Sequence, residues 1–188
     1  AAFSMGYSLD RMVVYDPGRP AGGLPERLGR DVALVLWAGS CHVHMRFTPQ
    51  DVDRVRREYP AIRVIVHPEC TFEVVQAADE AGSTEYIIKR IAEAPAGSLW
   101  AVGTERDMVN RLARRYAGEK TVVNLSSADP FCDTMKRCSP SRLLWVLEGL
   151  AEGRVVNEVF VDEAVTREAR AALDRMLEIR ATVPGPVK

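Results

Sequence analysis

The chain has 188 residues, of which 47% are hydrophobic and 7% aromatic, and its charges balance to −1. That is enough apolar mass to bury a core in one domain or two small ones, and no stretch is basic enough to suggest a nucleic-acid surface. No apolar run approaches the roughly 20 residues that span a bilayer, and no charged-then-apolar leader opens the chain; its four cysteines are therefore expected to be reduced, in a cytoplasmic setting, and available to metal.

Ala1 fits either a trimmed initiator methionine or a start partway along a longer protein, and Phe3 falls where a strand would end. Residues 14–31 are rich in Gly, Pro and Arg and read as a loop or linker. Residues 32–37 (VALVLW) are an apolar run of strand length closed by Ala38-Gly39. Thr48-Pro49-Gln50-Asp51 is a helix start, with a capping threonine, a proline in the first turn and an acid to meet the helix dipole. That helix stops before Tyr59-Pro60. Residues 63–67 (RVIVH) are β-branched and strand-like. A helix over about 71–80 ends at Gly82, and Ser83 caps the next, which runs to about Ala94. Residues 99–103 (LWAVG) are a strand, and Thr104 is read as the cap of a helix reaching about Ala117. Residues 121–125 form a strand. A helix over about 141–151, a strand over 155–161 and a long helix over about 162–181 follow, and the last six residues form a frayed tail. Trp37, Trp100 and Trp145 read as core.

Strands that alternate with helices predict an α/β fold with a parallel sheet covered on both faces. In such folds ligands bind beyond the carboxyl ends of the strands. All three histidines and two of the four cysteines lie in two short segments, WAGSCHVH (37–44) and VIVHPEC (64–70), each directly after an apolar run. Cys41 and His44 follow the first run, His67 and Glu69 the second. Thr104 and Glu105 follow strand 99–103, and Cys132 lies past strand 121–125. Four successive strands thus deliver polar or ligand-type residues to one edge. Each feature also has a plainer reading. Cys41 and His44 are then a small buried thiol and a satisfied histidine, and Gly82-Ser83-Thr84 is a helix stop and a new cap rather than an anion site at a helix N-terminus. Cys132 and Cys138 are compatible with a redox pair, a metal site or neither. Paired Cys-x-x-Cys knuckles are lacking, which disfavours a compact structural zinc site and favours a cluster or catalytic metal assembled by the fold.

GSCHVH, HPEC, AADEAGSTEYII, AVGTE and CDTM, in this order, resemble the quinolinate synthase family, whose patterns read roughly G-x-C-x-V-H, H-P-E-C, A-D-x-x-G-S-T, G-T-E and C-x-x-M. The resemblance runs from about Phe3 to Met176. It implies three similar three-layer αβα modules with parallel sheets about a pseudo-threefold axis, each giving one cysteine to a four-iron–four-sulfur cluster whose remaining iron is a Lewis acid. The implied reaction condenses iminoaspartate with dihydroxyacetone phosphate to quinolinate in NAD biosynthesis, with L-aspartate oxidase as functional partner. Carried over, Cys41 and Cys132 are cluster ligands and Cys70 is not. His44, His67 and Glu69 are active-site residues, with Glu69 an acid/base group, and Ser83 and Thr84 hold a substrate phosphate or carboxylate. The amino-terminal module, with the family's first cluster cysteine, is not expected in this chain. FSMGYSLDR (3–11) also departs from the family's F-x-P-D-x-x-L-G. The resemblance divides the chain into residues 1–44 (end of the second module), 45–130 (the module carrying HPEC and GST) and 131–188 (third cysteine and closing helices). It leaves the chain as a fragment, one half of a split enzyme whose other chain supplies the missing module, or a degenerate relative. Two readings from other classes compete with it: a non-catalytic α/β module that binds a small acid or a partner protein, and a zinc-dependent lyase or hydrolase using Cys41, His44 and His67. Neither a nucleic acid nor a membrane is expected as a partner.

Overall fold

The computed structural model describes residues 8–182. The strand end expected at Phe3 and the tail 183–188 lie outside the described residues. The chain divides into two compact units, residues 1–133 and 134–188.

In the first unit, β1 (Met12–Tyr15) and β2 (Leu34–Trp37) pair in parallel, with Met12 opposite Leu34 and Tyr15 opposite Trp37. Four further strands, β3 (Arg63–Val66), β4 (Glu80–Ala81), β5 (Leu99–Gly103) and β6 (Thr121–Asn124), form a parallel sheet in the order β4-β3-β5-β6. Their apolar runs are continuous because both faces are covered. Val64 and Val66 on one face of β3 pack with Ala101, Leu125 and the helices α1 (Pro49–Glu58) and α2 (Phe72–Ala77). Ile65, Trp100, Val102 and Val122 on the other face pack with α3 (Thr84–Glu93) and α4 (Arg106–Arg115). The result is a three-layer αβα unit, as the alternation of elements implies.

Local chemistry sets the helix ends. A capping box opens α1: Thr48 Oγ1 accepts from the Asp51 amide at 3.3 Å and Asp51 Oδ2 accepts from the Thr48 amide at 2.9 Å. Buried Lys120 closes α3 by donating from Nζ to the carbonyls of Ile91 and Ala92, both at 2.9 Å. This places a cation on the negative end of the helix. In the second unit, Ser139 caps α5 (Pro140–Ala151) by accepting from the Arg142 amide, and α6 (Glu163–Thr182) follows.

Several expectations are corrected. Residues 12–15 form β1, so Val14 and Tyr15 at the start of the segment read as a loop are strand instead; a hydrogen bond from the Ala38 amide to the Tyr15 carbonyl continues the pairing with β2. The helix expected over 71–80 ends at Ala77, because Glu80–Ala81 extend to pair with Ile65 and Val66 of β3. Thr104 does not cap α4; Glu105 does, accepting at Oε2 from the Asp107 and Met108 amides. Residues 155–161 do not form a strand. No sheet edge pairs with them among the described residues, and Asn157 takes a left-handed φ of 58° that breaks the extended run. Of the three tryptophans read as core, only Trp100 is buried; Trp37 is 66% exposed and Trp145 51%.

Candidate active site

In the order β4-β3-β5-β6 the chain leaves β3 to one side, through α2 to β4, and then crosses to the other side as β5. Such a reversal leaves a crevice at the carboxyl ends of the two strands, where ligands bind in open α/β sheets. His67 directly follows β3 and Thr104 directly follows β5. The His67 amide donates to the Gly103 carbonyl at 3.0 Å, so the ladder holds both strand ends in register. Gly103 is needed there: a Cβ would lie 2.8 Å from Val66 Cγ1 and 3.0 Å from Leu125 Cδ2.

The segment after β2 reaches the same crevice. Buried Phe47 anchors it in the first core, and His44 opens a short 3-10 turn just before it. His44 Nδ1 lies 2.9 Å from Glu69 Oε2, and Nε2 lies 3.1 Å from Thr104 Oγ1. The His44 and His67 rings stack, with centroids 4.4 Å apart and planes inclined by 11°. Three segments far apart in sequence therefore meet at one imidazole. The Glu69 side chain is 58% exposed, that of His67 18% and that of His44 9%. The carboxylate thus faces solvent while the rings recede into the fold.

Burial and the adjacent His67 lower the His44 pKa, and the Glu69 contact only partly offsets them. Burial likewise lowers that of His67. Both rings are accordingly neutral near pH 7. A neutral His44 that donates from Nδ1 to the carboxylate accepts at Nε2, so Thr104 is the donor there. His67 Nδ1 accepts from the Glu69 amide at 3.3 Å, which leaves its proton on Nε2. The HPE turn thereby sets the tautomer of its own histidine.

All four cysteines are thiols rather than disulfides. Cys41 is half-buried, and its Sγ lies within 4.8 Å of ligand atoms of His44 and Glu69. An open concavity of about 770 Å³ adjoins it, lined by Trp37, Gly39, Ser40, Cys41, Met45 and Glu69. Cys132 is buried on the loop after β6. It is outside the Cys41–His44–Glu69 group, but its loop is fastened to the Cys41 segment. His42 Nε2 lies 3.0 Å from Asp133 Oδ1, and Arg46 donates to the Asp129 carbonyl at 2.9 Å. Arg106 holds the same loop from α4 through the Asp129 carboxylate. Cys70 is turned inward toward the Gly103 carbonyl, 3.7 Å away, and burial pushes its thiol up to about 12. Cys138 is exposed in the second unit.

Ser83 and Thr84 stand at the carboxyl end of β4, on the same sheet edge, and both are exposed. Ser83 Oγ accepts from the Tyr86 amide at 3.2 Å as the α3 cap. Gly82 lets Tyr86 lie against the turn, since a Cβ would sit 2.1 Å from the ring. Among the described residues, no hydrogen bond or ion pair joins Ser83 or Thr84 to His44, His67 or Glu69. Sequence reasoning placed Thr104 at this edge but not as the partner of His44, and it overlooked His42. The only signal for either was proximity to a strand end or a cysteine.

The family described as quinolinate synthetase A protein matches residues 7–178. The chain is 53% identical over 180 residues to a quinolinate synthase of Acidobacterium capsulatum, covering 95% of this chain and 48% of that protein. It is 50% identical over 180 residues to one of Streptomyces coelicolor, covering 95% and 46%. Against one of Bacillus cytotoxicus it is 42% identical over 177 residues, covering 94% and 48%. The chain spans about half the length of these relatives. No helix among the described residues is long and apolar enough to cross a membrane.

Proposed function

Because the chain belongs to the quinolinate synthetase A family, we propose that it forms part of a cytoplasmic catalyst that condenses iminoaspartate with dihydroxyacetone phosphate to quinolinate. The observation that carries this reading is the meeting of Glu69, His67 and His44 beside Cys41 at the switch point of a parallel sheet. Condensation, dehydration and ring closure need a base, a hydrogen-bond donor and a place for the phosphate. Glu69 presents an exposed carboxylate as the base, with buried His44 and Thr104 behind it holding its orientation. His67, neutral and protonated on Nε2, is the donor. Ser83 and Thr84, at the N-terminus of α3, suit a phosphate or carboxylate on the same edge.

The donor set is compatible with an iron–sulfur cluster in part. Cys41 and Cys132 offer two thiols on loops fastened to each other. Cys70, turned inward with its thiol up at about 12, is not set to complete them. A third thiolate then comes from residues outside these 188, and L-aspartate oxidase is the functional partner that delivers iminoaspartate. When bound, the cluster supplies an iron with an open position that acts as a Lewis acid. The test is anaerobic reconstitution of the 188-residue chain with iron and sulfide, with and without the amino-terminal half of the Acidobacterium capsulatum relative. Quinolinate should form only with both pieces. Robust synthesis by the chain alone, or none from the pair with an intact cluster, would overturn the reading.

A further inference from the structure

Between the end of β6 at Asn124 and Cys132 the chain forms neither helix nor strand. The start of this loop is anchored from within: Leu125 is buried in the first core, and buried Ser126 accepts from the Ala128 amide at 3.1 Å. The part next to Cys132 is gripped from outside by the residue that opens α4. The Arg106 amide donates to the Pro130 carbonyl at 3.0 Å, its Nη1 donates to the Asp129 carboxylate, and its guanidinium lies over the Phe131 ring, 5.4 Å from the centroid. One residue thus holds three in succession, and the next in the chain is the thiol.

We propose that Arg106, acting through Asp129 and Phe131, is a positioning residue for Cys132, fixing where the thiol stands before iron reaches it. The inference rests on the reading of Cys132 as a cluster ligand. Two observations set the clamp apart from a contact that only holds the fold together. The Asp129 side chain is 59% exposed, and ion pairs so open to water add little to global stability. The helix itself is fixed by Val109 and Leu112 in the second core, whatever its first residue. The arrangement also calls for arginine in particular. While Nη1 reaches Asp129, Nε donates to Asp107 Oδ1 at 3.1 Å and the flat guanidinium covers Phe131. A lysine ammonium has the charge without the planar fork. A thiol already in place binds better than one whose loop has to be ordered on binding.

The first arm of the test uses the reduced, metal-free 188-residue chain at pH 8, with thiol labelling followed residue by residue by peptide mass spectrometry. Cys132 is 8% exposed and reacts through opening of its loop. Arg106→Gln should raise its labelling rate roughly 10-fold or more, and Asp129→Asn should act in the same direction. The double variant should be no faster than the faster single, because both cut one contact. Arg106→Lys should fall between the parent and Arg106→Gln. Buried Cys70 reacts on global unfolding and should keep its rate throughout, which shows that the fold is intact. The second arm is anaerobic reconstitution with the amino-terminal half of the Acidobacterium capsulatum relative, where the Arg106→Gln pair should lose iron in air several times faster than the parent pair. A Cys132 rate unchanged in both single variants, or one that rises only in step with that of Cys70, overturns the clamp. A parent pair that assembles no cluster overturns the reading of Cys132 as a ligand, and the labelling arm still decides whether Arg106 positions it.

Discussion

Replacing Thr104 by valine isolates the contact on which the crevice turns. Thr104 is 3% exposed and valine has nearly its shape, so the exchange removes a hydroxyl without opening a cavity. What it leaves is His44 Nε2, in a side chain 9% exposed, with no donor in place of the Thr104 hydroxyl at 3.1 Å. A buried polar atom stripped of its partner costs about 1–3 kcal/mol. For a chain of this size that is a fall in melting temperature of roughly 3–10 °C. Calorimetry of the isolated chain at pH 7.5 measures it. The companion experiment is His44→Leu with and without Thr104→Val. With the imidazole gone, the valine should be near neutral, so the double variant loses less than the sum of the two singles. Carbon-13 shifts of the His44 ring report the tautomer directly. A Thr104→Val chain that melts within a degree of the parent with unchanged His44 shifts would refute the argument that this hydroxyl holds the ring.

Four further outcomes are expected. His44 and His67 have folded pKa values below their unfolded value of about 6.5; the unfolded chain therefore takes up more protons below that pH, and their contribution is full above it and lost as pH falls toward the folded values. Melting curves between pH 7.5 and 5.5 should show the decline, and His44→Leu should flatten it. Lys120→Met removes the ammonium donor from the Ile91 and Ala92 carbonyls at the end of α3, leaving Ile91 only the long Ala94 amide contact, and should cost roughly 1–3 kcal/mol in denaturant titration. At pH 8 a disulfide reagent should label exposed Cys138 within the first phase and Cys70 only on unfolding, since burial pushes the Cys70 thiol up to about 12. Glu69→Gln, in the enzyme reconstituted from two pieces, should lower turnover by roughly 10²-fold or more with iron content unchanged; unaltered turnover would remove Glu69 from its proposed role.

The parts of the fold legible in the sequence are those fixed by local rules. Thr48-Pro49 opens α1 where expected, and the runs at 63–66, 99–103 and 121–124 are strands because each is apolar on both faces. His67 and Glu69 could be assigned to the sheet edge for the same reason. What escaped depends on neighbours distant in sequence. Thr104 and Glu105 are both competent caps, and only the approach of His44, sixty residues earlier, decides that the threonine turns inward. Glu80–Ala81 is too short to announce a strand, and it extends because β3 offers a free edge. Residues 155–161 are rich in valine like a strand and have no such edge among the described residues. Trp37 is as apolar as Trp100, but it ends a strand of a two-stranded sheet, is 66% exposed, and stacks on Tyr15 at 5.3 Å instead of entering a core.

The hydrogen bonds around His44 span 25 residues to Glu69 and 60 to Thr104. Synthesis runs from the amino end, so the ribosome releases Cys41 and His44 well before the partners that enclose them. Through that interval the thiol and the imidazole stand in solvent, open to oxidants and stray metal. Protection arrives only when β5 docks beside β3 and carries Thr104 into place, a long-range parallel pairing of the kind that forms slowly. The reactive edge is thus sheltered only after a further sixty residues have followed His44 out of the ribosome.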